Sequence, residues 1–320
     1  MRSQYQLARR EARSWLFGGP LPIPGVLGVI LDYCQEFEGR CLMTLTGHKQ
    51  TVCALVALPD GKLASGSVDK TVRVWDVSSG ECVRTLEGHT GSVFALAAMP
   101  DDKLASGSCD KTIRLWNTAS GACLYKLVGH TDMLMALAVL PDDTLASGSR
   151  DGTVRVWSAA KGSCLHILKA HTDWVTSLAV LPDGNLVSGS YDKTVRVWKD
   201  GVCLCTLINY NNYVIALAVL PDGKLASAHD YNDMVHVWDG SSGACVLTLK
   251  GHNANVYDLA VLLDGNLVSG SFDHTLRVWG NDGQCLCVLE GHKSHVFALA
   301  VLPDGKLTSG SSDKTIRVWC

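Results

Sequence analysis

Seven tryptophans, Trp75, Trp116, Trp157, Trp198, Trp238, Trp279 and Trp319, recur at intervals of 41, 41, 41, 40, 41 and 40 residues. The chain is therefore one unit copied seven times. A period of about 40–45 residues marks four-stranded blades set radially around an axis. A single copy cannot bury its own apolar face, so the copies must stack side by side and the stack must close or be capped. A length of 320 residues would by itself suggest two domains, but the repeat occupies most of it.

One copy shows how the strands arise. After Gly47-His48, residues 52–58 are a continuous apolar run, as expected of an inner strand covered on both faces. Pro59-Asp60-Gly61 makes a tight turn, because proline presets φ and glycine accepts the left-handed region. Residues 62–67 give a second strand, Val68-Asp69-Lys70 turns the chain, and residues 71–75 alternate β-branched with polar side chains in a third. Residues 82–86 follow Ser78-Ser79-Gly80 as a fourth strand, and Gly88-His89 restarts the cycle.

The ends complete a circle. The last copy stops at Trp319-Cys320, after its third strand, whereas residues 38–45 read as a fourth strand with no blade of its own. The expected fold is all-β: a seven-bladed β-propeller of four-stranded antiparallel blades, the last closed by the N-terminal strand 38–45, with no open edge. Residues 1–37 form an N-terminal extension, and residues 38–320 form the propeller.

Composition narrows the function classes. Of thirteen cysteines, Cys41, Cys82, Cys123, Cys164, Cys203, Cys245 and Cys285 fall at one equivalent site on separate copies. Such sites lie beyond the roughly 7 Å Cα separation that a disulfide allows, so these residues read as small apolar fillers of an outer strand. The odd total and the lack of a convincing signal peptide point to a reducing, cytoplasmic location, with the nucleus as an alternative. The Cys203/Cys205 and Cys285/Cys287 pairs lack the Cys-x-x-Cys partners of a zinc site, and neither metal nor other cofactor is expected. A net charge of -3 gives no footprint for nucleic acid or an anionic membrane. The longest apolar run, residues 26–31, is too short to cross a bilayer.

The recurring Gly-His, Ser-Gly-Ser-x-Asp-Lys-Thr and Val-Arg-Val-Trp segments resemble the WD40-repeat family of β-propellers over residues 38–320. The Trp-Asp dipeptide itself survives only at Trp75-Asp76 and Trp238-Asp239. The resemblance implies a hydrogen-bonded tetrad per copy, in the first made by His48, Ser65 or Ser67, Asp69 and Trp75. The matching residues are His89, Asp110 and Trp116 in the second copy, His130, Asp151 and Trp157 in the third, and His171, Asp192 and Trp198 in the fourth. The sixth copy supplies His252, Asp273 and Trp279, and the seventh His292, Asp313 and Trp319. Elementary chemistry agrees, since a buried imidazole or carboxylate needs partners. The His/Ser/Asp recurrence is thus scaffold rather than a set of catalytic triads, and no catalytic residue is expected. The arginines Arg73, Arg114, Arg155, Arg196, Arg277 and Arg317 are too uniform to encode specificity and read as scaffold or as a solvated edge.

Three columns vary between copies. The first reads Thr51, Ser92, Met133, Trp174, Tyr213, Asn255, His295; the second Cys53, Phe94, Met135, Thr176, Ile215, Tyr257, Phe297; the third Val68, Cys109, Arg150, Tyr191, Tyr231, Phe272, Ser312. The resemblance places them on the top face around the central channel, where partners dock. Ten aromatic residues lie outside the repeated tryptophans and the first 37 residues, and eight of them fall in these columns. Because aromatic residues, methionine and arginine are enriched in binding hot spots, the partner-contact candidates are Trp174, Tyr191, Tyr213, Tyr231, Tyr257, Phe272, Phe94 and Phe297 with Arg150 and His295. A channel plug is the competing reading for Phe94, Ile215 and Phe297. So aligned, the columns contain no Asp or Glu.

The fifth copy departs most. Asn209-Tyr210 replaces Gly-His, and Ala228-His229-Asp230-Tyr231-Asn232 carries an inserted residue, with asparagine in the aspartate slot. Both ends of its tetrad are expected to be lost, and a site is expected around Tyr210, Tyr213, His229 and Tyr231.

The best-supported function is a non-catalytic scaffold, a monomeric propeller within a larger complex, docking a protein or peptide on its aromatic face. The alternative is a substrate receptor of a ubiquitin ligase, because Leu21-Pro22 followed by Val26-Leu27-x-x-Ile30-Leu31-Asp32-Tyr33 is faintly similar to the first helix of an F-box. A phosphodegron receptor needs several top-face arginines, and the columns offer Arg150 alone. Arg2, Arg9, Arg10 and Arg13 suggest a mitochondrial presequence, which low serine content disfavours.

Overall fold

A computed structural model describes residues 39–208, 212–240 and 243–320. The N-terminal extension with its F-box-like segment, and Tyr210, lie outside the described residues. The chain divides into two units between Glu38 and Gly39, and the second is a ring of blades. Its described residues form 28 strands in seven four-stranded antiparallel sheets.

In the first blade the strands Val52–Ala57, Leu63–Ser67, Val72–Asp76 and Glu81–Leu86 lie in that order. The first strand of each blade contacts the first strands of both neighbouring blades, so these seven strands surround the axis. Strand Leu63–Ser67 is buried at every residue, whereas Glu81–Leu86 is largely exposed apart from Leu86, the gradient expected from axis to rim. The seventh sheet joins the chain's two ends: Cys41–Thr46 pairs antiparallel with Thr315–Trp319, and Arg40 and Cys320 exchange backbone hydrogen bonds at 3.0 and 3.1 Å. Leu45, Val52, Trp75, Ile316 and Val318 share one apolar cluster, so closure has a core as well as a ladder.

Between blades, the glycine of Ser-Gly-Ser sets the approach. A Cβ placed on Gly310 would lie 2.7 Å from Val52 Cγ1, and one on Gly66 would lie 2.7 Å from Val93 Cγ1. In the fifth blade Ala228 occupies this position, fully buried. Each inner strand also carries a β-bulge, between Val52 and Ala54 in the first blade and between Val296 and Ala298 in the last. The inserted residue is the second variable column in all seven blades. A bulge releases a residue from strand alternation, which is how a frame repeated this closely presents a different side chain in each copy.

The tetrads hold each blade together. In the first, Trp75 Nε1–H donates to Ser65 Oγ at 2.8 Å, Ser65 Oγ lies 2.7 Å from His48 Nε2, and His48 Nδ1 lies 2.8 Å from Asp69 Oδ2. Indole N–H can only donate, so the serine hydroxyl passes its own hydrogen to His48 Nε2, and the imidazole donates from Nδ1 to the carboxylate. The tetrad serine is Ser65; Ser67 instead accepts from the Asp69 amide at 3.1 Å. The same relay links His89, His130, His171, His252 and His292 to their serines and aspartates. Burial opposes ionisation of Asp69, but hydrogen bonds from His48, Thr71 and the Lys49 amide outweigh it and hold the group below the usual carboxylate range.

Glycine, arginine and cysteine columns form a second unit. Arg73 Nη1 lies 3.7 Å from Cys82 Sγ, and Arg317 Nη1 lies 3.5 Å from Cys41 Sγ. A Cβ on Gly47 would come within 2.8 Å of Arg73 Nη1, so the Gly-His glycine makes room for the arginine. The arginine column is scaffold.

The fifth blade corrects two expectations. Its tetrad is rebuilt at the histidine end only: Trp238 Nε1 donates to Ser227 Oγ at 2.7 Å and His229 Nε2 lies 2.9 Å from the same hydroxyl, while Asn232, in the aspartate slot, accepts from the Met234 amide at 3.0 Å. His229, 1% exposed, takes the place of the Gly-His imidazole and is frame, not contact surface. His236 stands in the arginine column, its ring 5.4 Å from that of His229 and its Nδ1 3.2 Å from Thr248 Oγ1.

Candidate functional site

The variable columns are tied together by one backbone rung per blade. The third-column N–H donates to the first-column carbonyl, from Val68 to Thr51 at 3.0 Å, Tyr191 to Trp174 at 2.9 Å and Phe272 to Asn255 at 2.9 Å. In the fifth blade the rung runs from Asp230 to Tyr213 at 2.9 Å. The third-column residue there is therefore Asp230 and not Tyr231, and the columns do contain an acid. The insertion falls after the rung, which displaces Tyr231 outward with a φ of 56° and leaves it 82% exposed.

Across six of the blade boundaries, the third column of one blade meets the first column of the next. Arg150 Cζ lies 3.8 Å from the ring centroid of Trp174, Asn255 Nδ2 donates to Asp230 Oδ1 at 2.6 Å, and Thr51 Oγ1 lies 3.3 Å from Ser312 Oγ. The two columns thus interleave around the ring.

On one arc this interleaving makes a stack. Trp174 and Tyr191 lie 4.9 Å apart at 24°, and Tyr191 and Tyr213 lie 4.8 Å apart at 19°. Arg150 covers the Trp174 end, and Lys193 Nζ lies 5.6 Å from the Tyr213 centroid. Tyr231 meets Tyr213 edge-on at 6.5 Å. A second cluster follows: Tyr257 stacks on Phe272 at 4.3 Å, Phe272 lies 3.9 Å from His295, and Phe297 stands edge-on to Tyr257 at 4.9 Å. Asp230 joins the clusters, accepting from Tyr191 Oη at 3.3 Å, from Asn255 and from the Tyr231 amide at 3.0 Å. Burial, then the neighbouring Asp230, raises the Tyr191 and Tyr257 phenols above their ordinary range, so both keep their O–H.

Nine of the ten candidates therefore fall in two adjoining groups. Phe94 stands apart, half-buried in the second blade with no ring contact among the described residues. Asp230, Asn255 and Lys193 belong to the surface although the column comparison passed over them as contacts. Asp258, one residue past the second column, is a further omission. Its oxygens accept from the Leu259 and Leu299 amides at 2.9 and 2.7 Å, so it straps the sixth blade to the seventh. Removal from water pushes its carboxyl up to about 7, against those two N–H donors. It could have been noticed as the one acid inside the apolar strand Val256–Val261. Among the described residues, no group of three His, Cys, Asp or Glu is placed to hold a metal ion.

The family model for the WD domain, G-beta repeat, matches residues 39–76, 80–117, 121–158, 162–199, 201–239, 243–280 and 283–320. The chain belongs to the WD40-repeat family. Its ring superposes on the crystal structure of the WD40 β-propeller domain of Doa1 with a TM-score of 0.80 and 28% identity, covering 88% of this chain and 96% of that one. Similarity to curated proteins is about one repeat long. The chain is 54% identical over 44 residues to nuclear distribution protein nudF 2 of Penicillium rubens, covering 13% of this chain and 10% of that protein. It is 54% identical over 39 residues to the Notchless protein homolog of Arabidopsis thaliana, covering 12% and 8%. The matched segments span about a tenth of those relatives. WD40 propellers commonly serve as protein-interaction scaffolds.

Proposed function

We propose that this WD40 propeller is a non-catalytic docking platform that receives a protein or peptide on the arc from Arg150 to Phe297, within a larger assembly. The observation that carries this reading is the Arg150–Trp174–Tyr191–Tyr213 stack. The frame does not require it. The first and seventh blades keep the same rung with Val68 on Thr51 and Ser312 on His295, without stacked rings at both positions. Large aromatic side chains held at loop ends, one of them 82% exposed, are the residues in which interface hot spots concentrate.

Two further observations favour the reading. Six His/Ser/Asp sets are engaged in buried relays to tryptophan, which leaves them serving the fold rather than a reaction. The twelve described cysteines are unbridged, in keeping with a reducing cytoplasmic setting. Nothing among the described residues favours the ubiquitin-ligase alternative, whose segment lies within residues 1–37.

Affinity purification of the wild type beside a Trp174→Ala/Tyr213→Ala/Tyr231→Ala variant tests the proposal. Partners lost from the variant at unchanged melting temperature are expected; an identical partner set from both would refute it.

A further inference from the structure

We propose that the segment received by this surface is acidic, presenting one carboxylate side chain to Arg150 and a second to Lys193, with apolar residues between them along the Trp174–Tyr191–Tyr213 stack. The inference rests on the docking reading above and adds the chemistry of the partner.

The argument begins with charge. Arg150 and Lys193 cap opposite ends of the three-ring stack, at 3.8 Å from Trp174 and 5.6 Å from Tyr213. Neither forms an ion pair with a carboxylate among the described residues; the lysines that do so are Lys62, Lys103, Lys224 and Lys306, each with an aspartate two residues before it. The acid inside the cluster, Asp230, already accepts from Tyr191, Asn255 and the Tyr231 amide. Asp230 keeps its charge, but its oxygens are occupied by these neutral donors; Arg150 and Lys193, at the two ends of the stack, are the cations left without a carboxylate partner among the described residues.

Geometry sharpens this for Arg150. Its Nε is buried without a hydrogen-bond partner, so its capacity to bind resides in the two terminal nitrogens. A guanidinium held against an indole has its planar fork fixed in advance, which suits two parallel hydrogen bonds to a carboxylate. A basic segment would meet two like charges. A wholly apolar one would strip both cations of water and offer nothing in return, which is costly. An acidic segment satisfies both cations and leaves the rings for its apolar side chains.

Spacing follows from the stack. Ring separations of 4.9 and 4.8 Å lie between the two caps, and an extended chain advances about 3.3 Å per residue, so the acids are several residues apart rather than adjacent.

The test uses the full chain and a random peptide display library, with counter-selection on the Trp174→Ala/Tyr213→Ala/Tyr231→Ala variant. Peptides retained by the wild type over that variant are expected to carry two Asp or Glu residues flanking apolar ones. In fluorescence anisotropy at low salt, Arg150→Ala should weaken them by about tenfold or more, Arg150→Lys by less, and Lys193→Ala by a smaller factor, with affinity falling as salt rises. Circular dichroism melts establish that each variant folds, and Arg150→Gln serves if Arg150→Ala does not. Peptides that need the rings but are basic or uncharged, and that ignore Arg150→Ala and Lys193→Ala, would overturn the acidic assignment and leave the docking reading standing. Enrichment no greater on the wild type than on the ring variant would overturn both. Binding tightened by more than about tenfold when phosphoserine replaces the acids would move the assignment to phosphopeptides and overturn it as stated.

Discussion

His229 reaches the Ser227 hydroxyl at 2.9 Å from two residues along the same strand, whereas His48 makes the equivalent contact with Ser65 at 2.7 Å from seventeen residues away. The blade needs an imidazole nitrogen at that hydroxyl and is indifferent to where on the backbone it originates. His229→Ala should therefore destabilise the propeller by about 1–3 kcal/mol, the cost of leaving a buried polar group unpaired. Tyr231→Ala, two residues on and 82% exposed, should change stability by no more than about 0.5 kcal/mol. Urea unfolding of both variants checks the order; a larger loss for Tyr231→Ala would reverse the assignment of frame and surface.

Gly310 and Val52 form the contact between the last and first blades. A methyl group added at Gly310 would meet Val52 Cγ1 at 2.7 Å. Gly310→Ala should cost about 1–3 kcal/mol through overpacking. Val52→Ala should relieve part of that cost, so a double-mutant cycle by thermal unfolding should show less-than-additive destabilisation.

Asp258 makes stability depend on pH in an unusual direction. Its carboxyl, pushed up to about 7, holds its proton more tightly folded than unfolded. That contribution is fully present below the ordinary Asp pKa near 4 and is lost as pH rises through about 7. Asp258→Asn should abolish this decline, gaining on the order of 2–4 kcal/mol relative to wild type between pH 5 and pH 8. The tetrad aspartates act oppositely: Asp69 and Asp110 are depressed, the latter to about 2, so their stabilisation fades as pH falls through that range. Denaturant midpoints from about pH 1.5 to pH 8 separate the two effects.

Strand Cys41–Thr46 supplies the outer edge of the last blade. A variant lacking residues 1–46 leaves Thr315–Trp319 as an unpaired edge and removes Leu45, 2% exposed, from the closing core. Light scattering after gel filtration should show self-association beyond that of the full chain, and an unchanged association state with unchanged stability would contradict closure as described.

Much of this was legible in the sequence because the frame repeats. A buried imidazole, serine, aspartate and tryptophan at fixed offsets have one consistent arrangement, and the orphan strand at the N-terminus has one vacant partner. What the sequence left open was local register. Ser65 and Ser67 are chemically equivalent on paper and share one face of strand Leu63–Ser67, so only position along the strand decides: Ser65 lies beside Trp75 and His48, whereas Ser67 lies at the turn and accepts from the Asp69 amide. In the fifth copy an inserted residue can be placed before or after the rung. The column alignment placed it before, with Tyr231 in the third column, and the Asp230 to Tyr213 hydrogen bond puts it after. The stack of Trp174, Tyr191 and Tyr213 was equally hidden, since its Tyr191–Tyr213 step and the Arg150 cap cross blade boundaries. Column comparison names such residues but does not order them.

Photo-crosslinking tests the docking surface most directly. A benzophenone amino acid placed at Tyr231, 82% exposed on the aromatic arc, is compared with one at Val202, 63% exposed on the outer strand Val202–Ile208. Adducts to partner proteins from position 231 and not from position 202 are the predicted result. Adducts from position 202 alone would contradict the account.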